Sequence, residues 1–170
     1  MNWEAIGAIG ENVGALAVVV SVLYLAYQVK QSTRHSQAET QREIINDIHR
    51  HQAQIRENPG LIRRAFSSFN ELTGDEKIVA NTYFNEAVSA FESTRRLKIA
   101  GLAPAVIFEG HRGLILAIIR SPGGTQWWAD AKYLFAADIH KYLDAELARG
   151  IDLPPPITET VPYYGTYEED

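Results

Sequence analysis

The sequence predicts an all-α protein, made of an N-terminal transmembrane helix, a small cytoplasmic helical bundle and an extended acidic C-terminal tail. Three observations carry that expectation. A stretch from Ile6 to Val29 is almost continuously apolar. Beyond it, apolar residues recur every three or four positions and are punctuated by Pro and Gly breaks. No stretch has the strict alternation or the hairpin dipeptides of a β-sheet protein. At 170 residues the chain has room for one ordinary domain beside an anchor. The expected boundaries are residues 1–30 for the anchor, 31–150 for the bundle and 151–170 for the tail.

The 24 residues from Ile6 to Val29 would rise about 36 Å as a helix, enough for a hydrocarbon core of about 30 Å with some tilt. Glu11 and Asn12 interrupt the run near its outer end, where a carboxylate is less costly than at the midplane. Trp3 at one end and Tyr24 and Tyr27 at the other sit where interfacial aromatics belong, and Lys30 and Arg34 follow at once. The basic flank orients the body to the cytoplasm and the N-terminus outside. A cleaved signal peptide would need a basic start, and Met1 to Ile6 has no Lys or Arg. A core helix of a soluble protein remains the rival, because the uninterrupted part from Val13 to Tyr27 is only 15 residues. Gly7, Gly10, Gly14, Ala17 and Ser21 share one face in a small-residue register suited to helix pairing in lipid. Their commonness in membrane helices is the plain alternative.

The next segment, Thr33 to Asn58, carries Ile44, Ile45, Ile48 and Ile55 on a long amphipathic helix that ends at Asn58-Pro59-Gly60. Leu61 to Phe69 forms a short apolar turn of helix. Thr73 followed by Glu76 reads as a capping box that starts a helix of about 25 residues, ending at Gly101. Its apolar set includes Ile78, Phe84, Val88, Phe91, Leu97 and Ile99. Pro104 opens another helix with Val106, Ile107, Leu114, Ile115 and Ile118. Ser121-Pro122-Gly123-Gly124 is the clearest break, after which Thr125 is expected to cap a segment with Trp127, Trp128, Tyr133, Leu134 and Phe135. Ile139, Tyr142, Leu143 and Leu147 carry the last helix to Gly150. The tail, with Pro154-Pro155-Pro156, is expected to be extended and poorly tied down unless it docks.

The opening NWEAIGAIGENVGALAVVVSVLYLAYQVKQSTR, the Asn58-Pro59 break and SPGGTQWW from Ser121 to Trp128, followed by aromatic-rich helices, together resemble a widespread group of small bacterial membrane-anchored all-helical proteins. The resemblance covers most of residues 1–150. It implies an inner-membrane anchor with a cytoplasmic helical domain, and it brings no catalytic residues with it.

Charge and motifs narrow the function classes. The net charge of −5 comes from the tail, where Asp152, Glu159, Glu168, Glu169 and Asp170 have no basic counterpart. The body is balanced, so the basic footprint of a nucleic-acid binder is missing. With no Cys there is no thiolate metal site, Cys nucleophile or disulfide. His35, Glu39, Glu43, Asp47 and His51 recur every four residues, but steps of four wind about 40° past a full turn and cannot converge on one ion. No Glu or Asp stands three before any histidine, as a di-iron bundle site would require. Glu109 with His111 and Arg112, and Asp138 with His140, are the remaining acid–base candidates, while nucleotide, dinucleotide, serine-hydrolase and zinc-protease motifs are lacking. Arg50, Arg56, Arg63, Arg64, Arg95, Arg96 and Lys98 read as solvated faces first and anionic-lipid contacts second.

The expected role is therefore that of a protein-interaction module or accessory subunit of a membrane complex, with no cofactor. Its partners would be membrane lipid and a protein, or a second copy of itself, through the transmembrane helix. One of Trp127 and Trp128 is expected at a partner contact. The alternatives are a membrane-tethered enzyme using bundle carboxylates and His, or a soluble helical protein with helix one in its core.

Overall fold

The computed structural model describes residues 3–150 and 152–165, apart from the side chains of 3–13, 15, 41, 43 and 47–54. Among the described residues every regular element is helical: α1 Trp3–Glu57, α2 Pro59–Ser67, α3 Gly74–Ile99, α4 Ala105–Ile119, α5 Pro122–Ala131, α6 Ala137–Arg149 and α7 Ile157–Thr160, with 3-10 turns at Lys132–Leu134 and Pro162–Tyr164. Two compact units divide the chain between Thr40 and Gln41.

In the first unit, the large apolar side chains from Leu16 to Val29 are exposed on every side of the helix. Among the described residues, no helix is long and apolar enough to cross a membrane. Leu16 to Val29 rises only about 21 Å, short of the roughly 30 Å of hydrocarbon.

The second unit is built around aromatic rings. α3 packs on α4, and α2 packs on both α3 and α5. Phe84 of α3 stacks on Trp127 of α5 with centroids 5.1 Å apart, and Phe66 of α2 meets Phe84 edge-on at 5.7 Å. Ile139 and Leu143 close the α6 side of the core, both fully buried. Glu76 accepts the Thr73 amide at 3.0 Å, as the capping box requires. At the other end of α3, Gly101 has φ 74°, its N–H reaches Lys98 O at 3.1 Å, and Leu102 N–H reaches Leu97 O at 2.9 Å. This is a Schellman stop that favours glycine.

Three expectations are corrected. The break at Ser121-Pro122-Gly123-Gly124 separates α4 from α5, but the cap of α5 is Ser121 rather than Thr125. Ser121 Oγ caps Gly124 N–H at 3.0 Å, so α5 begins before Thr125, with Pro122 in its first turn. Both glycines are contact surfaces: a Cβ on Gly123 would lie 1.7 Å from Ala65 O, and one on Gly124 would lie 2.1 Å from Ile118 O. Only a missing side chain lets α5 approach α2 and the end of α4 this closely.

The described part of the tail, residues 152–165, is not extended and loose. It folds into α7 and the last 3-10 turn, buries Ile157 and stacks Tyr164 on Phe66 at 5.6 Å. At its start, the Pro154 carbonyl accepts from the Arg120 guanidinium.

Not all of the predicted apolar positions are core. Ile78, Ile99, Val106, Tyr133 and Leu134 are exposed, because helix period marks a face while the neighbouring elements decide which face is covered.

Candidate functional site

Taken from the N-terminus, the predicted membrane-facing residues divide by how far they are described. Trp3, Gly7 and Gly10 belong to α1, but their side chains lie outside the described residues, as do those of Glu11 and Asn12. Gly14, Ala17 and Ser21 are exposed, and nothing lies within 4 Å of where a Gly14 Cβ would stand. Ser21 Oγ turns inward and donates to Ala17 O at 2.8 Å, so its polarity is satisfied within its own helix. Tyr24 and Tyr27 are exposed, and Tyr24 Oη accepts from the Gln28 amide at 3.0 Å. Lys30 and Arg34 are exposed one and two turns further on. Successive residues Val18, Val19 and Val20 are 54–63% exposed, although they point about 100° apart. Each large apolar side chain described from Leu16 to Val29 is exposed within this unit.

The tryptophan pair is corrected. Trp127 is 1% and Trp128 5% exposed, so neither ring is available to a partner. Each indole finds a polar partner within the second unit: Trp127 Nε1 donates to Asn81 Oδ1, and Trp128 Nε1 donates to Asp144 Oδ1, both at 2.9 Å. Two adjacent helical positions are both covered because α5 is enclosed by α2, α4 and the 3-10 turn, with Phe84 on one ring and Phe135 on the other. Lys132 Nζ binds the second oxygen of Asp144 at 2.9 Å. Burial opposes the charge of Asp144, but the bonds from Lys132 and Trp128 outweigh it and hold the carboxyl below the ordinary aspartate value.

The acid–base candidates separate. His111 is buried with Nδ1 2.8 Å from Thr94 Oγ1. Thr94 also donates to Ala90 O at 3.0 Å. The pair edges a recess of about 300 Å³ that includes Ile44 and Leu97. Glu109 and Arg112 belong instead to a polar cleft of about 380 Å³, with Tyr142, Glu146, Arg149 and Asp152. Its centre is Glu146, only 8% exposed, which accepts from Arg112 and, at 2.9 Å, from Arg149. Burial opposes the charge of Arg112, and the bond to Glu109 together with the attraction of Glu146 reverses that. Burial, and then Glu146, raise the Tyr142 hydroxyl above its ordinary value.

Sequence spacing could not have found the Arg112–Glu146 pair, whose members are 34 residues apart. Asp138 binds Arg95 at 3.2 Å, while His140 lies edge-on to Tyr133 at 5.6 Å. Among the described residues, no group of three His, Asp or Glu could hold a metal, and Glu43, Asp47 and His51 lie outside the described side chains. Arg64 pairs with Glu76, and Arg96 with Glu92 at 2.6 Å, as expected of solvated charged faces.

Compared with known proteins, the chain matches no protein-family model, no curated protein and no solved structure.

Proposed function

We propose that the chain is a membrane-anchored helical protein whose second unit works as an interaction module or accessory subunit of a membrane assembly. The observation that carries this reading is the sleeve of apolar side chains from Leu16 to Val29, ten of them large and each 54–66% exposed. A helix that is apolar all round has two stable surroundings, a protein core or lipid, and a patch of this size is not left facing water. Moving these groups out of water is worth on the order of 10 kcal/mol in total, far more than any surface contact elsewhere in the chain. In this reading the span extends over residues 6–29, with Tyr24, Tyr27, Lys30 and Arg34 at the cytoplasmic interface and the bundle inside the cell. The open face of Gly14, Ala17 and Ser21 meets a second helix in the bilayer, from a protein partner or another copy.

The tethered-enzyme alternative needs a carboxylate and an imidazole converging on open space. Glu109 and Glu146 of the polar cleft accept from arginines, and His111 bonds Thr94, so this alternative draws little from the geometry.

Cell fractionation and vesicle flotation test the proposal. The intact chain should sediment with membranes, resist alkaline carbonate and float with vesicles. Val19→Asp with Leu23→Asp should release it. Recovery of the unaltered chain as a monodisperse species without detergent would overturn the reading.

A further inference from the structure

We infer that the turn between α3 and α4 is a lipid contact of the second unit, its tip from Ile99 to Val106 entering the headgroup boundary of an anionic bilayer. The inference builds on the membrane reading and is tested apart from it. From Ile99 to Phe108 ten consecutive residues, IAGLAPAVIF, carry no charged or hydrogen-bonding side chain. Ile99 is 71% and Val106 77% exposed, and Ala100, Gly101 and Ala105 beside them are exposed as well. The backbone of the turn has spent its donors. Ala100 N–H reaches Arg96 O at 3.0 Å, Gly101 N–H reaches Lys98 O at 3.1 Å, Leu102 and Ala103 N–H reach Leu97 O at 2.9 and 3.2 Å, and Pro104 has no N–H. A segment that satisfies its own amides and shows only hydrocarbon outward suits a bilayer boundary, since lipid tails offer no replacement hydrogen bonds.

Charge and position name the occupant. The nearest carboxylates along α3 and α4, Glu92 and Glu109, are held by Arg96 at 2.6 Å and Arg112 at 2.9 Å, and Asp138 of α6 is held by Arg95 at 3.2 Å. Lys98, half-buried at the foot of the turn, adds the positive charge that anionic headgroups attract. A protein partner would need hydrogen bonds at its rim and roughly 20–30 residues a side, and this turn offers neither. Ile44, three residues past the start of the second unit, edges the recess that Arg96 and Leu97 also line. The turn therefore belongs to the half of the unit nearest the point where the chain enters it.

The test uses the full chain in vesicles of phosphatidylcholine and phosphatidylglycerol, with single cysteines introduced to carry nitroxide labels, since the chain has none of its own. Ile99→Cys and Val106→Cys report the turn, Ile78→Cys another exposed apolar site of the same unit, and Val22→Cys the anchor. Labels at 99 and 106 should be relaxed by an aqueous nickel complex roughly fivefold less than the label at 78, because hydrocarbon excludes polar solutes. Dissolved oxygen should relax them more. Lys98→Glu should cut this protection in the anionic vesicles and leave that in phosphatidylcholine alone unchanged, with the helical circular dichroism retained. Nickel access at 106 equal to that at 78, with the label at 22 in lipid, would overturn the inference and leave the anchor standing. A lipid signal at 106 with water-like access at 22 would support the turn and overturn the anchor, and water-like access at both would overturn both. Low access to nickel and oxygen alike at 106 marks a protein contact and would also overturn the inference.

Discussion

Replacing glycine by alanine at two helical positions should change stability in opposite directions, and the structure supplies the reason. In α4, Gly113 has nothing within 4 Å of an added Cβ. Alanine there gains the helix preference it holds over glycine, so Gly113→Ala should stabilise the chain by about 0.5–1 kcal/mol. Gly123 in α5 would gain the same preference, but its Cβ would stand 1.7 Å from Ala65 O, 2.9 Å from Ala65 C and 3.0 Å from Phe69 N. All three are backbone atoms of α2 and the residues after it, so no rotamer change relieves the clash. α2 and α5 must separate by more than 1 Å, which loosens the layer where Phe66, Phe84 and Trp127 meet. Overpacking and the gap it opens together place the net loss at about 3 kcal/mol. At roughly 3 °C per kcal/mol for a chain of this size, Tm should fall by about 9 °C. Thermal unfolding followed by circular dichroism at 222 nm, with urea titration beside it, measures both variants. A Gly123→Ala chain as stable as the parent would refute the close approach of α2 and α5, whatever Gly113→Ala does.

Two further outcomes follow from partly buried polar contacts. Trp127→Phe keeps the ring stack on Phe84 but removes the indole donor to Asn81 Oδ1, and should cost about 1–3 kcal/mol in urea with an unchanged slope. Asp144 sits below its ordinary value of 3.8, so the stability it contributes is fully present above that value and is lost as pH falls through its lower folded value. Asp144→Asn should therefore narrow the difference in Tm between neutral and strongly acidic buffer. An equal or wider difference would remove Asp144 from the account.

Much of the architecture was legible along the chain because it depends on local chemistry. The Thr73–Glu76 box, the stop at Gly101, the break at Asn58-Pro59 and the apolar run before Lys30 each need only neighbours within one turn of helix. The charge candidates were legible as residue types but not as a site. Glu109 and Arg112 are three apart and visible as a pair, whereas Glu146, the carboxylate at the centre of their cleft, comes from another helix.

By itself, then, the sequence determined the all-helical class, most helix starts and stops, and an apolar N-terminal stretch. Only the tertiary structure decided that Gly123 and Gly124 are packing surfaces, that both tryptophans are enclosed, and that residues 153–164 are docked. The physical reason is common to all three. Hydrogen bonding and periodicity act within a few residues, but burial is settled by which element arrives opposite. Ala65, Arg120 and Phe66 are remote in sequence from the groups they meet.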